Sequence, residues 1–297
     1  MCDAKIIDID YFINNNPWKK FKENELFIVD DDIEKLKKTK TTRSKKNIYD
    51  ILSKQYFGDI ARDMKEIIDS PINGNPFKAK IILLYNNPSL PNIKGVPYDT
   101  SKKMKDDYYH NDQIDVIKDN LSLSEGATLL FTGEKSKKIN GGKKWYDHLY
   151  KSILNEKKDY KIENFREDIC TLQWFPYPSN KFQEDFISTG LNEIIRTLDT
   201  HQFMVDLARF AIASGKTVIA MRNVVLWSEV LSYKTIKSEK KLIKVENTTV
   251  NENAYDELYR NNFFISLDNI NQGIKVKYLT KPLPKAEQID FDKLFKP

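Results

Sequence analysis

Ala79-Lys-Ile-Ile-Leu-Leu-Tyr85, running into Asn86-Asn-Pro-Ser89, is the stretch that decides the fold. Its apolar residues stand together with no alternation. Pro71-Ile-Asn-Gly-Asn-Pro76 breaks the chain before it, and Asn87-Pro88 breaks it after. A strand buried on both faces reads this way, and such strands belong to parallel sheets covered by helices. Working outward, Asp168–Phe175, Thr217-Val-Ile-Ala-Met221 and Asn262-Phe-Phe-Ile-Ser-Leu267 repeat the signal, with a weaker run at Ala127–Thr132.

Between these runs the apolar residues recur at helical spacing. Ile48, Ile51, Leu52, Tyr56, Ile60 and Met64 predict a helix, as do Trp145, Leu149 and Ile153. Gly190–Ser214 predicts one or two helices ended by Gly215, and a further helix carries Val225, Leu226 and Trp227. Lys234–Asn253 is polar and lacks a pattern. Strands alternating with helices predict an α/β fold: a three-layer αβα arrangement with a central, mainly parallel four-stranded sheet. Residues 76–297 would form this domain, and residues 1–75 an N-terminal helical extension or lobe packed on it.

The chain has 297 residues, ample for a sizeable core without staples. Its two cysteines, Cys2 and Cys170, match no CxxC spacing. The histidines are His110, His148 and His201, with no HExxH. No metal or cofactor is therefore expected. The N-terminus has acids where a signal peptide needs bases, and no run of 18 apolar residues occurs. A cytoplasmic monomer with no membrane contact is the expectation. The formal charge of +5 is compatible with a nucleic-acid partner without requiring one. Lys35, Lys37, Lys38, Lys40, Arg43, Lys45 and Lys46 form a basic run free of acids, either a solvated loop or a phosphate-contacting patch.

Ligands of parallel sheets sit at the carboxyl ends of the strands. Here those ends carry Asn86-Asn87-Pro88, Gln173 to Pro178, Arg222-Asn223 and Asp268 to Gln272. They are rich in amides and aromatics and nearly free of catalytic acids. That composition suits reading a flat polar ligand by hydrogen bonds and stacking.

At these ends the chain resembles the uracil-DNA glycosylase superfamily, over roughly residues 78–280. Leu83-Leu-Tyr-Asn-Asn-Pro-Ser89 is similar to the first motif, closest to the mismatch-specific and single-strand-selective branches. Gly95-Val-Pro-Tyr98 is similar to a loop that stacks on the base. Leu172-Gln-Trp-Phe-Pro-Tyr-Pro178 is similar to the strand end bearing the base-reading residue. Val218-Ile-Ala-Met-Arg-Asn223, with Trp227, looks like the strand and helix before the last motif, whose place Phe264–Gln272 occupies. The chain departs from the family at Tyr85, where Gly is usual. Gln173 stands where the family has Asn, and the last motif has no His-Pro-Ser or Asn-Pro-Ser core.

The resemblance implies excision of uracil or a related modified base from single- or double-stranded DNA, by hydrolysis of the N-glycosidic bond without metal or cofactor. Asn87 would position the water, and Asn269 and Asn271 would donate to the departing base. Asn86, Pro88, Tyr98, Gln173 and Phe175 would bind the base. Lys37, Lys38, Lys40, Arg43, Lys45, Lys46 and Arg222 would face the DNA. An amide is a poorer general base than a carboxylate, so slow chemistry is expected. The alternative is an inactive protein of the same fold that binds nucleic acid or a protein partner. A small-molecule hydrolase or transferase is the third reading, but no GxSxG, P-loop or GxGxxG supports it.

Overall fold

The computed structural model describes residues 4–19, 29–38, 70–86, 111–129, 149–155, 157–176, 191–266 and 279–280. In chain order these form β1 (Lys5–Ile7), α1 (Ile9–Asn14), α2 (Asp30–Lys38), β2 (Ile72–Asn73), β3 (Ile81–Tyr85) and α3 (Asn111–Ser122). A helical stretch over 149–155 follows, then α4 (Ile162–Asp168), β4 (Ile169–Gln173), α5 (Leu191–Ile195), α6 (Asp199–Ala213) and β5 (Thr217–Ala220). The chain continues through α7 (Val224–Leu231), α8 (Tyr233–Ser238), β6 (Lys241–Val245), β7 (Thr248–Val250), α9 (Glu252–Asn262), β8 (Phe263–Ser266) and β9 (Leu279–Thr280). The helix expected over 48–68 lies outside the described residues.

The protein is mixed α/β with two sheets. The larger has the order β2-β4-β3-β5-β8-β9. Its four inner strands are parallel, and both edges, β2 on β4 and β9 on β8, are antiparallel. The expected four-stranded sheet is thus corrected to a mixed sheet of six. The four long apolar runs are its inner strands. The edges are two-residue strands, too short to leave a pattern in sequence. Ala127–Leu129 is not a strand: the Ala127 amide turns back to the Ser124 carbonyl, and the Leu129 amide reaches the Arg166 carbonyl.

Side chains alternate between the two faces with period two. Ile82, Leu84, Cys170, Leu172, Val218 and Phe263 join one apolar cluster with α6 and Trp227. Ile81, Leu83, Ile169, Ile219 and Phe264 join the other, with Leu149, Ile153 and Phe165. Helices cover both faces, which is why the strands read as continuous apolar runs. Gly74, at φ 102, lets β2 lie close on β4; a Cβ there would stand 2.5 Å from the Ile169 carbonyl oxygen.

The second sheet, β1-β6-β7, takes β6 and β7 from Lys234–Asn253, where no pattern is predicted, and β1 from the N-terminal segment. β1 runs parallel to β6, and β6 returns through residues 246–247 to β7. A buried charge cluster ties this sheet to α6. Arg209 bonds the Val230 carbonyl, Asp206 and Glu239. Lys241 reaches the same two acids at 2.8 Å each, and the Tyr11 hydroxyl donates to Asp206. Two cations meet two anions, so the buried charge is balanced.

Candidate functional site

The carboxyl ends of β4, β3 and β5 lie side by side. Tyr85 pairs in register with Gln173, and Leu84 pairs with both Leu172 and Ala220. The ladder continues past the strands: Trp174 donates its amide to the Tyr85 carbonyl at 2.8 Å, and Phe175 to the Asn86 carbonyl at 2.6 Å. On the other side the Met221 amide donates to the Leu84 carbonyl at 2.9 Å. Among the inner strands β3 comes first in the chain, β4 lies on one side of it and β5 on the other. The order therefore reverses between β3 and β5, and a crevice at such a reversal is the usual ligand position in parallel sheets.

A histidine and two tryptophans hold these ends together. His201, fully buried on α6, donates from Nδ1 to the Trp174 carbonyl at 2.7 Å. A carbonyl can only accept, so Nδ1 carries the proton. The imidazole meets the Trp174 ring edge-on at 4.4 Å, and Trp174 meets Trp227 at 5.0 Å. Trp227 Nε1 donates to the Tyr85 carbonyl at 3.3 Å, and the Trp227 amide to the Asn223 carbonyl at 2.9 Å. One aromatic unit thus touches the backbone beside Gln173, Asn86 and Asn223. Burial pushes the His201 pKa down to about 4; the bond to Trp174 opposes the shift, and Arg196 and Arg209 add to it.

Buried polar atoms without a hydrogen-bond partner among the described residues gather at this end. They are Asn86 Oδ1, Gln173 Oε1, Trp174 Nε1, His201 Nε2, Asn223 Nδ2 and Ser266 Oγ. Each such atom costs about 1–3 kcal/mol relative to a satisfied one. Gln173 is only 3% exposed, so its carboxamide has little recourse to bulk water. Gln173 ends β4, Asn86 follows β3, and Asn223 lies three residues past β5; each carries an open hydrogen-bonding atom. Two of those atoms are acceptors and one is a donor.

Of the residues expected at a site, Asn86, Gln173, Phe175 and Arg222 come to this end of the sheet. Phe175 is fully buried in the apolar cluster beneath it. Arg222 is partly exposed and donates its amide to the Leu84 carbonyl. Asn87, Pro88, Tyr98, Asn269, Asn271, Lys40, Arg43, Lys45 and Lys46 lie outside the described residues. Lys37 and Lys38 are exposed at the end of α2, beside Glu34 at 3.2 and 4.0 Å. Their helix docks on the start of α6, where Asp32 accepts from the Asp199 amide and the Thr200 hydroxyl. Lys35 binds Asp199 at 2.7 Å. The basic run thus begins near the end of the sheet that carries the amides.

Asn223, Ser266 and His201 are the polar residues of this end that sequence reasoning did not place in a site. Asn223 is read there at a strand end, without a role of its own. Ser266 ends an apolar strand. His201 stands alone in an apolar helix.

Comparison with known protein families, with curated proteins and with solved structures finds no match to this chain. Among the described residues, no helix is long and apolar enough to cross a membrane. Among the same residues no group of three or more His, Cys, Asp or Glu could hold a metal ion.

Proposed function

We propose that the protein is a DNA glycosylase that hydrolyses the N-glycosidic bond of uracil or a related modified base flipped from DNA. The observation that carries this reading is the Gln173 carboxamide. It stands buried at a parallel strand end with an open acceptor, and Asn86, one residue past the end of the neighbouring strand, has an open acceptor too. A carboxamide offers a donor and an acceptor side by side, the complement of the N–H and C=O that adjoin on a pyrimidine edge. The order of the amide- and aromatic-bearing strand ends along the chain supports the same reading, as does the basic run that starts near them.

In this reading the base leaves the stack and Gln173 holds its edge. The sugar becomes oxocarbenium-like as the bond breaks, and negative charge grows on the base. Donors aimed at the base oxygens stabilise that charge more in the transition state than in the ground state. Asn87 orients the attacking water, and Asn269 and Asn271 supply donors. These three roles rest on the resemblance.

The test uses labelled single- and double-stranded oligonucleotides carrying one uracil, incubated with protein and then treated with alkali. Strand breaks at the uracil are expected, abolished by Asn87→Ala and reduced about 10²- to 10³-fold by Gln173→Leu. Tight, salt-sensitive binding without breaks would replace the reading with a non-catalytic binder of nucleic acid. Neither breaks nor binding would overturn it.

A further inference from the structure

We propose that His201 is a positioning residue for base excision: through the Trp174–Phe175 peptide it fixes the plane of the Asn86–Asn87 peptide, the unit that leads into the residue assigned to orient the water. This rests on the base-excision reading and adds to it a residue that touches neither base nor water.

The relay consists of two hydrogen bonds and the peptide between them. His201 Nδ1 donates to the Trp174 carbonyl at 2.7 Å. That carbonyl and the Phe175 amide are the two ends of one planar peptide unit. The Phe175 amide in turn donates to the Asn86 carbonyl at 2.6 Å. The Asn86 carbonyl belongs to the peptide unit whose nitrogen is that of Asn87. Rotating the Trp174–Phe175 plane would therefore break both bonds together. A donor on the carbonyl also polarises the peptide and strengthens the bond that its amide makes.

The relay lies just past the regular ladder. β3 and β4 pair in register as far as Tyr85 and Gln173. From the β5 side the last backbone bonds to β3 come from the Met221 and Arg222 amides, both to the Leu84 carbonyl. Beyond that point, among the described residues, the Asn86 carbonyl is held from the β4 side and the Trp174–Phe175 peptide from α6. The start of α6 is itself anchored on both sides of His201. Asp32 accepts from the Asp199 amide and the Thr200 hydroxyl, and the Gln202 side chain donates to the Arg196 carbonyl at 2.6 Å. The imidazole is fully buried, and its Nε2 has no partner among the described residues. An aliphatic side chain would fill this space without an open polar atom. The imidazole differs from it by one bond made, the donation from Nδ1.

His201→Leu removes the donor and keeps the bulk, while His201→Gln restores an amide donor. Gly74→Ala, which presses on the first residue of β4 at the far end of that strand, is the control for lost stability alone. Each protein is assayed in single turnover, at saturating protein, on a uracil-containing single-stranded oligonucleotide. Oligonucleotide affinity and the urea midpoint are measured on the same samples. The expected result is excision about 10- to 100-fold slower in His201→Leu, with affinity within about twofold of wild type. His201→Gln should excise within about threefold of wild type, and Gly74→Ala at the wild-type rate despite its lower midpoint. Methionine, flexible enough to fill the ring's space without donating, takes the place of leucine if that variant does not fold. A donor-less variant that excises at the wild-type rate, or that is slowed no more than Gly74→Ala, or whose loss glutamine does not restore, would overturn the role of His201 and leave the glycosylase reading intact. Absence of excision in the wild type would overturn the reading itself, and this inference with it.

Discussion

His201 offers a test of the sheet's carboxyl end that needs no substrate. Its imidazole is fully buried, Nδ1 is committed to the Trp174 carbonyl, and Nε2 faces no acceptor among the described residues. Protonating Nε2 would bury a cation with nowhere to donate, near Arg196 and Arg209 and with Glu239 as the opposing charge. In the unfolded chain the ring titrates near its ordinary value of about 6.5, while in the fold it titrates near 4. Between those values the unfolded state binds more protons, so stability falls as pH falls. The contribution is fully present above about pH 6.5 and lost on the way down to pH 4. Linkage makes the loss about 2 kcal/mol by pH 5 and about 3 kcal/mol by pH 4. The assay is urea unfolding, followed by tryptophan fluorescence, at pH 7 and pH 5 for wild type and His201→Gln. Glutamine retains an amide donor for the Trp174 carbonyl but does not titrate. Every other group titrates in both proteins, so the difference between their pH dependences isolates His201. The wild type should lose about 2 kcal/mol more than the variant over this range. Equal losses would refute the buried neutral imidazole.

Two further substitutions test how the sheets are held. Gly74→Ala places a Cβ 2.5 Å from the Ile169 carbonyl oxygen at a φ of 102, and should cost about 2–3 kcal/mol in urea unfolding; a cost below about 0.5 kcal/mol would mean β2 does not lie on β4 as described. Arg209→Met leaves Asp206 and Glu239 sharing Lys241 alone and strips the Val230 carbonyl of its donors, for an expected loss of about 3–5 kcal/mol. A loss under about 1 kcal/mol would show that the cluster is not the link between α6 and β6.

The four inner strands were legible because burial on both faces leaves an uninterrupted apolar run, and their observed bounds fall within two residues of the predicted ones. The small sheet was not legible because its burial runs against hydropathy. In β6 the charged Lys241 is 8% exposed while its apolar neighbour Leu242 is 39% exposed. Asp206 and Gln202 on α6 and Glu239 after α8 make a buried lysine tolerable, and Asp206 stands 35 residues away. The site divides in the same manner. Asn86 and Gln173 follow from strand ends alone. His201 depends on a carbonyl 27 residues earlier, and Asn223 on a cap that is not made.

The two ends of the large sheet treat buried polar groups in opposite ways. At the amino ends they are satisfied. Lys216 Nζ donates to the Phe77 and Ala79 carbonyls at 2.7 Å each. Asp168 accepts from the Tyr160 hydroxyl at 2.8 Å and pairs with Lys80 at 3.3 Å. Asn75 accepts from the Phe77 and Lys78 amides. At the carboxyl ends, Asn86, Gln173 and Asn223 leave amide atoms open. Three such atoms at about 1–3 kcal/mol each amount to a sizeable part of the roughly 5–15 kcal/mol that holds a domain folded. An apolar side chain at any of these positions would remove that cost. A ligand that brings hydrogen-bonding partners to these atoms would remove it as well. The asymmetry therefore supports the carboxyl end as the face toward the ligand, and it makes a ligand-dependent rise in stability the expected companion of binding there.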